Sequence, residues 1–265
     1  MLTTAEICSI HFETMSKKLT DKIVVVTGAS KGIGAGIAKQ IGAAGAKVVI
    51  NYASDKNAAD TVVAEITNQG GSAIAIRGDM SKQADVQRLF AETVDTFGGL
   101  DALVNNAGIY EFAPLEGFTE DSYRRVFDIN VLGVLLTSQE AVKSFGDKGG
   151  SIVNVGSYAS TRPDPYSIVY GASKGAVDSL TISLSKELGP KNIRVNTIQP
   201  GGVLTEGVAQ LGITHESDII KGVIKRSALG RMATPDDIGK TAVFLVSDDS
   251  AVITGQAIEV SGGYI

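Results

Sequence analysis

The sequence predicts an α/β fold, a single doubly wound parallel sheet of seven strands with helices on both faces. Three observations carry this reading. From Lys22 onward, short β-branched runs alternate with segments of helical period, and the breaks fall at Gly, Asn, Asp and Pro. Most of the runs are continuously apolar rather than alternating, as strands covered by helices on both faces require. The unusual residues gather where the runs end, at 28–34, 51–54, 78–80, 105–108, 157 and 200–202. In an open parallel sheet those carboxyl ends form one ligand crevice.

The first strand, Ile23–Thr27, ends in Thr27-Gly28-Ala29-Ser30-Lys31-Gly32-Ile33-Gly34 and runs into an Ala-rich helix over 33–44. Glycines here let the backbone turn tightly and approach a pyrophosphate, whose charge suits the N–H groups and dipole of a helix N-terminus. The spacing departs from G-x-G-x-x-G, because Ile37 stands three after Gly34. A turn whose glycines serve only close packing is the alternative reading. The later strands are expected at Lys47–Tyr52, Ala73–Arg77, Leu100–Asn105, Ser151–Gly156, Ile193–Gln199 and Ala257–Val260. Helices are expected near 55–69, 82–97, 119–145, 168–189 and 235–247, several opening at Ser, Thr or Asp in a cap position. The long apolar stretch 203–230 breaks the rhythm and reads as a substrate lid. Residues 1–18 read as a loose extension with Met15 as an alternative start, and 19–265 as one domain.

Composition removes several chemistries. A net charge of -5 without a Lys/Arg cluster points to a small ligand rather than nucleic acid. The one cysteine, Cys8, allows no internal disulfide or cysteine metal cluster and fits a reducing compartment. With only His11 and His215, a multi-histidine metal site or a histidine triad lacks raw material, so no metal is expected. His215 reads as a solvent-facing residue at a helix start, and Cys8 as inert. No apolar run approaches the roughly 20 residues of a membrane span. The start of the chain lacks a secretory pattern, so the expected location is cytoplasmic.

On the helix beginning near 168, Tyr170 and Lys174 lie four apart, on one face and one turn from each other. An ammonium near a phenol favours the phenolate, so Lys174 is expected to lower the Tyr170 pKa from its ordinary value of about 10. Ser157, just beyond the fifth strand, is placed to hydrogen-bond the same substrate oxygen. A solvent-exposed i,i+4 pair is the alternative.

Taken together these residues resemble the short-chain dehydrogenase/reductase family, in its form of roughly 250 residues. The resemblance spans about Leu19 to Tyr264. It rests on six motifs in order: Thr27 to Gly34, Asp79, Asn105-Asn-Ala-Gly108, Ser157 with Tyr170-x-x-x-Lys174, Pro200-Gly201 with Thr205, and Thr254-Gly-Gln with Ser261-Gly-Gly263. It implies a Rossmann-type domain and a set of roles. Tyr170 would be the general acid/base, Lys174 would bind the nicotinamide ribose and depress the tyrosine pKa, and Ser157 would polarise the carbonyl. Asn130 on the long helix would hold a water in the proton relay, although a helix side chain bonded to a neighbouring carbonyl is the simpler reading from sequence. Cofactor contacts would come from Gly28, Ser30, Lys31, Gly32, Ile33 and Gly34, and from Asn51, Tyr52, Ala53 and Ser54 after strand two. Asp79 would meet the adenine beside Met80, and Asn106, Ala107 and Gly108 would border the cofactor. Pro200 and Gly201 would follow strand six, with Val203 and Thr205 receiving the nicotinamide carboxamide.

The expected function is an NADPH-dependent carbonyl reductase interconverting a ketone and a secondary alcohol. NADP(H) is preferred, with NAD(H) possible, because strand two ends Asn51-Tyr52-Ala53-Ser54 without the acid that would repel a 2′-phosphate. Lys31 resembles the basic residue of NADP-preferring members, Ser30, Asn51 and Ser54 offer neutral donors, and Asp55 reads as a helix cap. Two rivals stand beside this reading. A 3-oxoacyl-acyl-carrier-protein reductase shares every motif and would need a basic patch, for which Arg162, Lys225 and Arg226 are candidates. A dinucleotide-sensing protein without turnover has no need of Ser157, Tyr170 and Lys174 together. Small residues on the 168–188 helix, Gly171, Ala172, Gly175, Ala176 and Ser179, and the resemblance together lead to an expected homotetramer.

Overall fold

The computed structural model describes residues 18–205 and 217–263. Seven parallel strands form one sheet in the order β3-β2-β1-β4-β5-β6-β7. They are β1 (Ile23–Val26), β2 (Lys47–Tyr52), β3 (Ser72–Arg77), β4 (Ala102–Asn105), β5 (Gly150–Val155), β6 (Ile193–Pro200) and β7 (Ala257–Val260). Each lies within two residues of its expected span. The chain order reverses between β1 and β4, and this switch point opens a crevice at their carboxyl ends.

The helices are α1 (Gly32–Ala43), α2 (Lys56–Asn68), α3 (Gln83–Phe97), α4 (Glu120–Phe127), α5 (Gly133–Ser144), α6 (Ile168–Leu188), α7 (Asp218–Arg226) and α8 (Pro235–Val246). Successive residues of β1 feed opposite faces of the sheet. Val24 and Val26 join a core with Ile37, Ile41, Ile238 and Leu245 from α1 and α8. Val25 joins the other core with Leu89 and Phe90 of α3 and Leu188 of α6. Each fully buried side chain of this kind contributes about 1.5–3 kcal/mol, which makes the sheet a rigid floor for the crevice.

Two expectations are corrected. The single helix over 119–145 is interrupted by a π-helical turn at Asp128–Leu132. Gly133 follows that turn and packs on the segment after β3, where an added Cβ would stand 3.2 Å from Met80 O. Asn130 therefore sits in the π turn, not on a regular helix. Within the expected lid, 218–226 forms α7, whose interior glycine hid it from a pattern reading. Residues 206–216 of that lid lie outside the described residues, as do Cys8, His11, Met15 and His215 and all of the expected extension but Lys18. No described helix is long and apolar enough to cross a membrane. The described residues hold no cluster of His, Cys, Asp and Glu suited to a metal.

Candidate active site

The turn after β1 is built by backbone and by two asparagines. Gly28 and Gly32 have φ of +60° and +59°, a region glycine enters at no steric cost. A Cβ on Gly28 would lie 2.9 Å from Ala107 Cα, and one on Gly34 2.4 Å from Gly28 O. The side chain of Asn106 donates to Thr27 O and Gly28 O, both at 2.9 Å. Asn51 Oδ1 accepts from Gly28 N at 3.1 Å, while its Nδ2 donates to Gly78 O at 3.1 Å and Ile76 O at 3.4 Å. Both amides thus brace the turn. The expectation that Asn51 offers a donor to a phosphate is corrected, since its amide hydrogens are committed to carbonyls inside the protein.

Other expected cofactor residues divide by position. Tyr52 and Met80 are 6% and 4% exposed and pack into the two cores. Lys31, Ala53 and Ser54 are exposed, and Ser30 and Ile33 partly so. Asp79 Oδ1 accepts from Ser81 N and Oγ at 3.0 and 2.8 Å. Asp55 caps α2 by accepting from Ala58 N at 3.0 Å, as expected of it. Arg77 was not among the expected residues. Register pairs it with Tyr52, and its Nε donates to Ala53 O at 3.2 Å, which places a guanidinium at the end of β2. Pattern alone gives no sign of this, because the partner lies 24 residues away.

The opening of α1 fits a pyrophosphate. Lys31 is its N-cap in extended conformation and makes no side-chain capping hydrogen bond, and the first turn holds no acid. Because no Cβ fits at Gly28 or Gly34, the turn stays tight at the positive end of α1, where the dipole suits the charge of a dinucleotide phosphate bridge. Thr205 lies across the same turn, its methyl 3.6 Å from the position a Gly32 Cβ would take. Val203 is buried and bridges to Ala233, and Pro200-Gly201 packs on Ser261, 2.6 Å from an added Gly201 Cβ. These four residues shape the wall beside the turn.

On the far side of the switch point the reactive groups converge. Ser157 is buried just beyond the end of β5, where its hydroxyl favours the ionised form of the Tyr170 phenol. Lys174 is 6% exposed; its Nζ donates to Val155 O at 2.8 Å and stands 5.8 Å from the Tyr170 ring centroid. A Cβ on Gly108 would come within 3.2 Å of Asn130 Oδ1 and 3.5 Å of Lys174 Nζ, so the absent side chain leaves the floor beside them open. Asn130 Nδ2 donates to Ile109 O at 2.9 Å and Ser173 Oγ at 3.0 Å, and its Oδ1 accepts from Ile109 N at 2.9 Å. Its side chain clamps the segment after β4 to α6, a bond across the fold rather than to a neighbouring carbonyl of its own helix.

The electrostatics correct one further expectation. Burial raises the Tyr170 phenol above its ordinary range, and the Ser157 hydrogen bond only partly offsets this. Lys174 does not reverse the balance, because burial lowers its own pKa to about 8 and its ammonium is aimed at a backbone carbonyl. One turn further along, Asp178 favours the charged lysine. Gln199 Nε2 donates to Asp178 Oδ2 at 2.7 Å and to Ser160 Oγ at 2.9 Å. Oδ1 of Asp178 is buried without a hydrogen-bond partner, and burial holds this carboxyl above the usual range. Asp178 was also missed, although its i,i+4 spacing from Lys174 was readable.

Comparison with known proteins agrees with this geometry. A family model described as enoyl-(acyl carrier protein) reductase matches residues 28–265. An oxidoreductase of Methylorubrum extorquens, named as uncharacterized, is 50% identical over 93% of this chain and 98% of its own length. A hydroxynaphthalene reductase-like protein of Metarhizium robertsii is 39% identical, over 96% and 98%. A short chain dehydrogenase from Burkholderia cenocepacia, solved in complex with NADP, superposes with a TM-score of 0.86 at 36% identity, covering 93% of this chain and 98% of that one. Agreement in sequence and in fold over nearly the whole length makes this chain a member of the short-chain dehydrogenase/reductase family of oxidoreductases.

Proposed function

We propose that this chain is an NADPH-dependent carbonyl reductase that interconverts a ketone and a secondary alcohol. The observation that carries the reading is the meeting of Ser157, Tyr170 and Lys174 beside Gly108, at the edge of the crevice that the glycine turn also borders. The dinucleotide, when bound, supplies the hydride. Its phosphates would rest on the opening of α1 and its nicotinamide ribose near Lys174. Tyr170, kept protonated by burial, gives its Oη proton to the carbonyl oxygen, and Ser157 orients that oxygen. Lys174, with a pKa of about 8, carries its charge at neutral pH and balances the phenolate left behind.

Three features support NADPH over NADH: the absence of an acid at 51–54, the exposed Lys31, and Arg77 across the end of β2. The carrier-protein rival is weakened by ion pairs, since Arg162 is joined to Glu259 and Arg226 lies 3.7 Å from Asp164. Exposed Ile168 and Ile182 on α6 support pairing of copies through that helix. The test is NADPH oxidation with a panel of ketones, acetoacetyl thioester and crotonyl thioester. Turnover of ketones is expected, with kcat/KM for NADPH about tenfold or more above NADH. Tyr170→Phe should cut turnover by about 10²-fold or more and leave dinucleotide binding nearly intact. Ketone reduction by Tyr170→Phe at the parent rate overturns the assignment of the acid.

A further inference from the structure

The mouth of the site is walled by aromatic rings that the fold leaves in water. Tyr110 and Phe112 occupy alternate positions on the segment leaving β4, and their ring centroids are 5.9 Å apart. Each centroid lies 6.4 Å from that of Tyr170, the Tyr110 ring meeting it edge-on at 78° and the Phe112 ring tilted at 50°. Whereas Tyr170 is partly buried, Tyr110 and Phe112 are 56% and 59% exposed. Single exposed apolar residues are ordinary on a protein surface. Two rings joined to the reacting phenol in one cluster form a patch of the kind that marks a binding site.

The rim continues this character. Ala113 N donates to Tyr166 O at 2.9 Å, tying the Phe112 segment to the chain that leads into α6. Tyr166 holds φ of +69°, a left-handed conformation that bulky residues avoid, and its side chain is 61% exposed. A small cavity of about 30 Å³ lies there between Pro114, Leu115, Phe118, Tyr166 and Ile168. The cations that meet the rim acids are already engaged, Arg125 with Glu111 at 2.7 Å and Arg226 within 3.7 Å of Asp164. A carboxylate or phosphate on a substrate would find little to attract it, whereas a neutral flat ring would find ring faces and edges at stacking distance.

Building on the carbonyl-reductase reading, we propose that the substrate is a neutral ketone conjugated to an aromatic ring system, held by Tyr110 and Phe112 with its carbonyl oxygen at Tyr170 Oη. In the reduction, hydride from NADPH forms a C–H bond at the carbonyl carbon, the C=O π bond breaks toward oxygen, and that oxygen takes the Tyr170 proton. The ketone becomes a secondary alcohol, NADPH becomes NADP⁺, and solvent returns one proton to Tyr170. Aromaticity is untouched.

The experiment compares 1-tetralone with cyclohexanone by kcat/KM, in the full chain and in Tyr110→Leu and Phe112→Leu, which keep apolar bulk and remove the ring. The parent is expected to prefer 1-tetralone by about 10²-fold, and each variant to lower that ratio about tenfold, the worth of a ring–ring contact. A parent ratio near one, or a ratio the variants leave unchanged, overturns the proposal. Calorimetric binding of 2-naphthol with NADP⁺ present provides a readout without turnover. If no ketone is reduced, the carbonyl-reductase reading fails, and the naphthol arm still decides the mouth: weaker binding in both variants retains an aromatic site, and equal binding removes it.

Discussion

Helices α1 and α8 pack against each other through glycine, yet they begin in opposite ways. A Cβ on Gly36 of α1 would stand 2.4 Å from Pro235 Cβ, and one on Gly239 of α8 would stand 2.9 Å from Gly36 O. At α8 every device of helix closure is in place. Thr234 Oγ1 accepts from Asp237 N at 3.2 Å, the Asp237 carboxylate accepts from Thr234 N at 2.9 Å, and Arg231 pairs with it at 2.7 Å. Arg231 foremost, with the Thr234 hydrogen bonds, holds the Asp237 carboxyl well below the usual aspartate range. At α1 the cap position is a lysine whose side chain makes no capping hydrogen bond. The contrast is local: α8 is closed by Thr234 and Asp237, whereas Lys31, the N-cap of α1 beside the crevice, contributes no capping hydrogen bond of its own.

The largest expected effect comes from filling the cradle. Gly→Ala inside a helix ordinarily stabilises, but at Gly34 the new carbon would lie 2.4 Å from Gly28 O, and the turn must move. Gly34→Ala is expected to weaken dinucleotide binding by about 10²-fold and to lower the Tm, measured by calorimetry and thermal melting. A Kd within twofold of the parent would show that the turn does not carry the phosphates.

A smaller effect, with two signs, follows from giving α1 the cap it lacks. Lys31 already has the extended backbone of an N-cap, so Lys31→Asp should raise stability by about 1 kcal/mol while weakening NADPH about tenfold, and NADH less. Denaturant titration and cofactor titration read the two effects separately. An unchanged midpoint with unchanged affinity would erase the contrast between the helices.

The smallest effect is on α8. Asp237→Asn should cost about 1 kcal/mol at pH 7 and leave cofactor affinity alone. A carboxyl whose folded pKa is depressed contributes stability that is present above its unfolded value of about 3.9 and lost as pH falls below it. The gap between parent and variant in urea unfolding should therefore narrow between pH 7 and pH 3. A gap that stays constant would assign the loss to packing rather than charge.

By itself the sequence determined what depends on neighbours along the chain. The seven strands follow from β-branched runs, the glycine turn from residues 27–34, the pairing of Tyr170 with Lys174 from one helical turn, and the Asp55 cap from its place before α2. Asn51 and Asn106 were readable as polar residues at strand ends, and only the folded chain shows them holding Gly28 from 23 and 78 residues away. Arg77 reaches the end of β2 through sheet register, Asn130 lies in a π turn that interrupts the expected helix, and the aromatic mouth joins the segment after β4 to α6. The sign of the Tyr170 shift was decided the same way. Sequence supplies the nearby ammonium, but desolvation depends on everything packed around both groups, and that sum exists only in three dimensions.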